Sequence, residues 1–206
     1  HRKLFIVLHT YGSHFNYKER YPESMAIFKP DSLTDAKYKN REYLMNAYDN
    51  TIRYTDGFLA TLITLLQGTD ASSAMLYTSD HGEDIFDDDR KLFLHASPVP
   101  SYYQLHVPFL IWMSGEYREN HAEIHEAILQ NREKPVAGNA SVFHTMLNLA
   151  GIATAYRNDS LSVASRQYLI RPRHYLNDHN LPKSLDKIGL KKKDIEQFRQ
   201  KNLVFP

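Results

Sequence analysis

The residues best suited to chemistry follow an apolar run near the middle of the chain. Residues 74–77 predict a short buried strand, and Asp80, His81 and Gly82 come shortly after it. The carboxylate of Asp80 and the imidazole of His81 are donors that suit zinc or manganese. Gly82 allows the backbone to turn sharply beside them. In the alternative interpretation Asp80 caps a following helix and His81 is a surface residue, and this stretch alone leaves both interpretations open.

Histidines follow a second apolar run, close to the start of the sequence. Residues 3–8 predict a strand covered on both faces, and His9 and His14 come after it. The carboxyl ends of neighbouring parallel strands meet at one edge of a sheet, so these histidines are expected near Asp80 and His81. His9 sits where the strand ends and can simply be packed there. His14 lies beyond the turn and is the better candidate for a site.

A further histidine, His95, follows another short apolar run. It comes 14 positions after His81, and a loop of that length can fold back over the metal pair. His95 is therefore expected to lie near Asp80 and His81.

Two other patterns of metal-binding residue types are weaker. The aspartates at 87–89 lack the spacing and the closing Glu of an EF-hand, so a solvated loop is the preferred interpretation. His121 and His125 lie four residues apart, but the sequence His-Glu-x-x-His is absent. An exposed helix face is preferred for that pair.

The rest of the pattern predicts the elements that position these residues. Residues 41–66 have apolar side chains at mostly helical spacing, with Asn40 as the N-cap and Gly68 as the C-cap glycine. A strand at 3–8, this helix and the strand at 74–77 make a β-α-β unit. The expected fold class is therefore α/β, a mainly parallel sheet flanked by helices. Further elements are predicted as strands at 107–113 and 162–170 and as helices at 116–130, 139–149 and 191–201.

Bulk composition narrows the class of protein. The 206 residues include 25 Lys and Arg against 24 Asp and Glu, a formal net charge of +1, which argues against a nucleic-acid binder. Cysteine is absent, so disulfides and thiolate metal sites are excluded. No apolar run approaches the roughly 20 residues that span a bilayer. The sequence starts at His1 without an initiator Met or signal peptide, which we interpret as the middle of a longer protein.

Composition also suggests a boundary within the chain. From residue 171 onward the sequence becomes rich in Arg, Asn, Asp, His, Pro and Lys. We predict one domain over residues 1–170, and a C-terminal extension over 171–206 that packs on the surface.

Five short motifs, taken in order, resemble a known family. They are His9-Thr10-x-Gly12-Ser13-His14, Tyr48-Asp49-Asn50-Thr51, Ser79-Asp80-His81-Gly82-Glu83, Leu94-His95 and Val107-Pro108. In this order and spacing the chain resembles the C-terminal part of the catalytic domain of bacterial phosphoethanolamine transferases, within the alkaline phosphatase and sulfatase superfamily. Asp84 and Phe15 depart from the family, which usually has Ser and Gly there.

The resemblance implies an enzyme with an alkaline phosphatase-like fold. Such an enzyme transfers phosphoethanolamine from a phospholipid to lipid A or a similar surface glycan. By resemblance Asp80 and His81 bind the catalytic zinc, with manganese or calcium less expected. His14 and His95 would bind the substrate phosphate or a second zinc. The family's other two ligands, a Glu and the Thr that is the phosphorylated nucleophile, have no counterpart here, so the isolated chain is expected to bind zinc weakly and to be inactive.

The resemblance also implies a location and leaves alternatives. Family members sit at the periplasmic face of the bacterial inner membrane, so membrane contact is expected through a preceding region. Nucleic acid is not an expected partner. A sulfatase or a phosphoglycerol transferase on the same fold is one alternative, distinguished by its nucleophile. A non-catalytic domain that uses the same crevice for binding is another.

Overall fold

A computed structural model describes residues 3–95, 100–136, 138–176, 179, 181–185 and 190–201, and for residue 139 the backbone alone. The helices are α1 (Arg41–Gln67), α2 (Tyr102–Leu105), α3 (Gly115–Asn120), α4 (Ala122–Asn131), α5 (Gly138–Leu149) and α6 (Lys192–Gln200). The strands are β1 (Ala74–Thr78), β2 (Asp84–Ile85), β3 (Phe93–Leu94), β4 (Phe109–Met113), β5 (His174–Leu176) and β6 (Pro182–Ser184). Short 3-10 turns occupy Tyr17–Arg20, Glu23–Met25, Tyr38–Asn40 and Asp159–Leu161.

The chain divides into two compact units. The first unit combines His1–Thr69 with Glu83–Leu94, and the second combines Asp70–Gly82 with His95–Pro206. The chain therefore passes from the second unit to the first between Gly82 and Glu83, and returns at His95.

The first unit is built on α1, the predicted long helix. Its core joins buried residues of α1, among them Leu44 and Ala47, to the aromatic residues Tyr17 and Tyr21 of the preceding loop. Asn40 occupies the N-cap position as predicted, but its side chain makes no capping hydrogen bond and instead donates to the carbonyl of residue 35 at 3.2 Å. Burial of the apolar face, rather than capping, therefore accounts for this helix.

The sequence Tyr48-Asp49-Asn50-Thr51 ties α1 to the loop before it. Asn50 is fully buried, and its Oδ1 accepts hydrogen bonds from the amides of Ile27 at 2.9 Å and Phe28 at 3.0 Å. The Oγ1 of Thr51 lies 2.6 Å from the Oγ of Ser13. This motif thus has a structural role, since it fixes the loop that contains His14.

The hairpin of β2 and β3 belongs to the same unit, with Ile85 opposite Phe93. The aspartates at 87–89 lie in its turn. Asp87 Oδ2 accepts from the amide of Ile85 at 2.6 Å, and Asp88 forms an ion pair with Arg90 at 2.6 Å. Asp87 and Asp88 are half-buried, so the prediction of a solvated loop is wrong for these two residues, whose carboxylates build the turn.

The second unit contains the antiparallel pair β1 and β4, with Leu76 opposite Ile111. Leu76 and Ile111 pack against a core formed by Tyr117 of α3 and Leu149 of α5. The hydroxyl of Tyr117 donates to the carbonyl of Leu149 at 2.7 Å, and burial raises the pKa of Tyr117 to about 12. Apolar packing and one buried hydrogen bond thus hold the helices on the strand pair.

The predicted parallel sheet is not found among the described residues, where β1 and β4, β2 and β3, and β5 and β6 all pair in antiparallel fashion. Residues 3–8 form no strand there, and the side chains of Leu4 to Leu8 are 57–81% exposed. An apolar run reports a tendency to be buried, but a strand also needs a neighbour that accepts and donates its backbone hydrogen bonds. Sequence pattern did not reveal which neighbour β1 has.

The predicted edge strand at 162–170 is also wrong. The segment is a loop whose buried first part is held by side chains of α4 and α5. Asn131 Nδ2 donates to the carbonyls of Val163 at 3.0 Å and Ser165 at 2.8 Å, and Thr145 Oγ1 accepts from the amide of Val163 at 3.1 Å. Val163, Ala164 and Tyr168 are buried, whereas Leu169 and Ile170 are more than half exposed, so the apolar pattern of this segment does not mark one buried strand face.

The helical predictions agree better with the structure. Helices α5 and α6 lie where they were predicted, whereas the helix at 116–130 is divided at His121 into α3 and α4. None of the helices that the structure describes combines the length and apolarity needed to cross a bilayer. The division into a domain at 1–170 and an extension at 171–206 stays a prediction.

Candidate metal centre

The polar loop after β1 is held by its own hydrogen bonds. Ser79 Oγ donates to the carbonyl of His81 at 2.8 Å, and the amide of His81 donates to Oδ1 of Asp80 at 3.1 Å. The end of β1 is fixed in turn, because Thr78 Oγ1 donates to the carbonyl of Pro108 at 3.0 Å. Asp80 therefore does not cap a helix, although the alternative interpretation of this residue required it to do so. Its carboxylate closes a local turn instead.

The imidazole of His81 has an orientation that favours metal binding. Its Nδ1 lies 3.0 Å from the carbonyl oxygen of Gly82. A carbonyl can only accept, so Nδ1 carries the proton and a neutral ring has its lone pair on Nε2. Histidines that bind metals commonly donate their second nitrogen to a backbone carbonyl in this way.

Asp80 and His81 can reach the same ion. Oδ2 of Asp80 lies 3.9 Å from Nε2 of His81. Two ligand atoms that each bind zinc at about 2.0–2.1 Å can be up to about 4 Å apart, so one zinc can contact both. The Asp80 side chain is 87% exposed, which leaves it accessible to an ion from solvent. The oxygen and nitrogen donors therefore suit zinc in type, and a small movement of the exposed Asp80 side chain towards His81 would give the spacing of a tetrahedral site.

His95 lies beside His81 in the second unit. The two rings are stacked with centroids 3.8 Å apart and planes inclined by 29°, and a nitrogen of each ring lies within 4.8 Å of the other. Leu94, just before His95, has a left-handed backbone with φ of +65°. Non-glycine residues rarely adopt this conformation, and when they do they are often at functional sites. The prediction that His95 folds back beside His81 is confirmed.

Gly82 is required by a close backbone contact rather than by a turn with positive φ. Its amide donates to the carbonyl of Gln104 in α2 at 2.8 Å. A Cβ atom at this position would lie 2.0 Å from the carbonyl oxygen of Tyr103, far inside contact distance. Glycine therefore lets the loop that contains His81 lie directly against the backbone of α2.

His14 lies in the first unit, at the end of the loop that Thr51 fixes. Its side chain is exposed, and Nδ1 lies 2.5 Å from the carbonyl oxygen of Phe15. Arg20 Nε donates to the His14 carbonyl at 3.0 Å, and the Arg20 guanidinium lies over the ring of Tyr11 at 4.7 Å. The donation from Nδ1 places the lone pair of a neutral His14 on Nε2, where it can bind a metal or accept a proton.

Glu83 was not predicted as a site residue, although it stands in the same motif as Asp80 and His81. It is buried in the first unit, and the hydroxyl of Tyr17 donates to its Oε2 at 3.3 Å. Burial and the Glu83 carboxylate both raise the pKa of Tyr17, so its hydroxyl stays protonated and can donate. The sequence signal available for Glu83 was its position, since it is a carboxylate two residues after the candidate ligand His81.

Comparison with known proteins gives consistent relatives. The Sulfatase family model matches residues 1–152. Kdo(2)-lipid A phosphoethanolamine 7''-transferase of Escherichia coli K12 is 38% identical over 122 residues, which are 58% of this chain and 21% of that protein. Phosphoethanolamine transferase EptA of Salmonella typhimurium is 36% identical over 158 residues, 73% of this chain and 28% of that protein. The chain thus spans about a quarter of the length of these relatives.

Solved structures give the same result for the fold. The C-terminal periplasmic domain of EcEptC from Escherichia coli, in complex with Zn, superimposes with a TM-score of 0.71 at 25% identity. The alignment covers 89% of this chain and 51% of that domain. The chain has a sulfatase-like fold and is related to bacterial phosphoethanolamine transferases. It therefore belongs to the sulfatase family.

Proposed function

We propose that this chain is part of the catalytic domain of a metal-dependent phosphoethanolamine transferase. The reaction would move phosphoethanolamine from a phospholipid to lipid A or a similar surface glycan. The observation that carries the proposal is the pairing of Asp80 and His81, with a donated Nδ1 proton that leaves Nε2 of His81 3.9 Å from the Asp80 carboxylate. The names of two relatives support the substrate class, since one is a phosphoethanolamine transferase of Kdo(2)-lipid A and the other is a phosphoethanolamine transferase.

Zinc is the metal that we assign to Asp80 and His81. Zinc accepts mixed oxygen and nitrogen ligands such as these two, and a related domain was solved in complex with Zn. When bound, the metal polarises a phosphoryl oxygen and lowers the pKa of the attacking hydroxyl. The two protein ligands then have one task, which is to hold the ion against the end of the rigid strand β1.

His95 and His14 are assigned to the phosphate. The stacked ring of His95 lies next to His81, so a phosphate held at the ion is within its reach. The Nε2 lone pair inferred for His14 accepts a proton in neutral form, and the protonated ring donates to a phosphate oxygen. Either histidine can also protonate a leaving oxygen or bind a second zinc. The nucleophile would be a threonine elsewhere in the whole protein, which becomes phosphorylated before the second transfer.

The proposed location is the periplasmic face of the inner membrane. A structural relative is a periplasmic domain, and both substrates are lipids or lipid-linked glycans of the envelope. Membrane contact would come from another region of the whole protein. Nucleic acid is not a proposed partner, because the charge of this chain is balanced.

The test uses the whole protein in bacteria that lack any other such transferase, with lipid A analysed by mass spectrometry. We expect Asp80→Ala and His81→Ala to lower the modified fraction roughly a hundredfold or more, since first ligands matter at least as much as their supporting residues. Asp56→Ala and His125→Ala are matched controls and should leave modification unchanged. Asp56 is exposed on α1 and His125 lies on α4, and neither residue belongs to the site.

Other outcomes would identify the alternatives. Full modification by the Asp80→Ala and His81→Ala variants would contradict a metal-dependent role and favour a binding domain. Release of sulfate from a sulfate ester by the wild-type whole protein, without transfer of phosphoethanolamine, would favour a sulfatase.

A further inference from the structure

The helix α6 makes specific contacts with α2, and α2 is the element that touches the candidate metal loop. Helix α6 lies in the predicted C-terminal extension and outside the residues matched by the family model. We propose that Asp194 and Phe198 of α6 are positioning residues, which hold α2 in place and thereby fix Gly82 and His81. The proposal rests on the proposed function for its consequence, since the loop that they fix would bind the metal.

The first step is that α2 cannot be stable by itself. It has only four residues, a single turn, and nucleation of one turn costs more than its hydrogen bonds return. Ser101 caps it weakly, since Ser101 Oγ accepts from the amide of Gln104 at 3.3 Å. The amide of Tyr102 lies at the start of the turn, where no carbonyl within the helix can accept from it. That buried amide needs an acceptor from elsewhere.

The second step is that Asp194 supplies this acceptor. Oδ1 of Asp194 accepts from the amide of Tyr102 at 2.8 Å, and Asp194 is fully buried. A carboxylate at the start of a helix interacts favourably with the positive end of the helix dipole. It also makes a stronger hydrogen bond to an amide than a neutral acceptor does. Burying a carboxylate is costly, and the bond to the Tyr102 amide is one of the contacts that offset this cost.

The third step is that aromatic packing holds α6 and α2 together. The rings of Phe198 and Tyr102 meet edge to face at 4.9 Å, and both residues are buried. The hydroxyl of Tyr102 lies 2.9 Å from Nδ1 of His106, and the two rings are stacked at 5.2 Å. Burial, and to a smaller extent the charge of Lys201 just after α6, lower the pKa of His106 and favour its neutral form.

The last step leads from α2 to the loop. The carbonyl oxygen of Gln104 in α2 accepts a hydrogen bond from the amide of Gly82 at 2.8 Å. The carbonyl oxygen of Tyr103 leaves no room for a side chain at position 82. His81 in turn donates its Nδ1 proton to the Gly82 carbonyl. A shift of α2 would therefore move Gly82, and the acceptor that orients the His81 ring would move with it.

The test measures amide hydrogen exchange in the full 206-residue chain without metal. In Asp194→Ala and Phe198→Ala we expect the amide of Gly82 to exchange at least tenfold faster, while amides in the middle of α1 change less than twofold. Asp194→Asn should keep most of the protection, because its amide oxygen still accepts from Tyr102. Glu196→Ala is the matched control, since Glu196 is exposed on the same helix, and it should exchange as the wild type does.

A zinc titration of the same variants tests whether the contact between α6 and α2 affects metal binding. We expect Asp194→Ala to weaken zinc binding at least threefold and Asp194→Asn to restore it. The proposal would be overturned if the amide of Gly82 exchanged within twofold of the wild-type rate in both Asp194→Ala and Phe198→Ala. It would also be overturned if this amide exchanged faster in the variants while their zinc affinity stayed unchanged. If Asp194→Ala does not fold, Phe198→Leu is judged by the same criteria. If the amide of Gly82 exchanges faster in the variants but the wild-type chain binds no zinc, the result would count against the proposed function instead.

Discussion

The backbone of Gly82 lies so close to Tyr103 that a Cβ atom would stand 2.0 Å from the Tyr103 carbonyl oxygen. This contact explains why a glycine follows the candidate ligand His81. The atom in the way belongs to the backbone of α2, so it cannot move aside as the end of a flexible side chain could.

Gly82→Ala should therefore damage the loop. We expect it to lower the free energy of unfolding by about 1–3 kcal/mol, as overpacking of a close contact does, and to remove the hydrogen bond from residue 82 to Gln104. Urea denaturation and amide exchange measure the two effects. Gly115→Ala is the control, because a Cβ there meets no atom within 4 Å and alanine suits a helix. Equal stability of the two variants would contradict this account of Gly82.

Asp31 should make stability depend on pH in the acid range. Burial by itself would raise the pKa of Asp31, but hydrogen bonds from Lys18 and Lys29, each below 3 Å, and from Tyr21 lower it from 3.8 to about 2. The folded form thus prefers the ionised carboxylate. Its contribution is fully present above about pH 4 and is lost as the pH falls towards 2. We expect Asp31→Asn to lower the free energy of unfolding by about 2 kcal/mol at pH 7.

The measurement is urea denaturation of wild type and Asp31→Asn at pH 7, 5, 4 and 3. The difference between them should be constant down to about pH 4 and then shrink. Asp35→Asn is the control: Asp35 pairs with Lys37 at an exposed position, and exposed pairs contribute little. A difference for Asp31→Asn that does not change with pH would refute the assignment.

Asn50 should be the most sensitive polar residue of α1. Asn50→Ala leaves the amides of Ile27 and Phe28 and the carbonyl of Phe28 without their buried partner. We expect a loss of about 2–4 kcal/mol in the free energy of unfolding, since each unsatisfied buried group costs about 1–3 kcal/mol. Asn46→Ala removes a single hydrogen bond, to the carbonyl of Pro30, and should cost markedly less. A smaller effect for Asn50→Ala than for Asn46→Ala would be evidence against this role.

Zinc should bind weakly to this chain alone, and the zinc affinity should depend on His81. Zinc sites use three or four protein ligands, whereas the proposal assigns two residues of this chain, Asp80 and His81, as ligands of one ion. By calorimetric titration at pH 7 we expect His81→Ala to reduce zinc affinity at least tenfold, whereas His125→Ala should have no effect. Tight binding that survives His81→Ala would show that the metal is held elsewhere.

The local elements could be predicted from the sequence, because their signals lie within a few residues of one another. The helical spacing of α1, α5 and α6 is such a signal, and so are the apolar runs of β1 and β4. The motif that contains Asp80 and His81 could be located in the same way, and the sequence also showed that His95 follows it. Resemblance to a family then assigned a chemistry to these residues.

Only the tertiary structure decided which segments meet. Periodicity reports that a residue is buried, but it does not report against what, so β1 was assigned parallel neighbours and instead pairs with β4 in antiparallel fashion. Residues 162–170 form a loop in which Val163 and Ala164 are buried and Leu169 and Ile170 are exposed, so their apolar pattern did not mark a strand. The contact between Gly82 and α2 joins residues 22 positions apart at Gln104, and that between Tyr102 and Asp194 joins residues 92 apart. Such contacts depend on how the whole unit packs, and no local pattern encodes them.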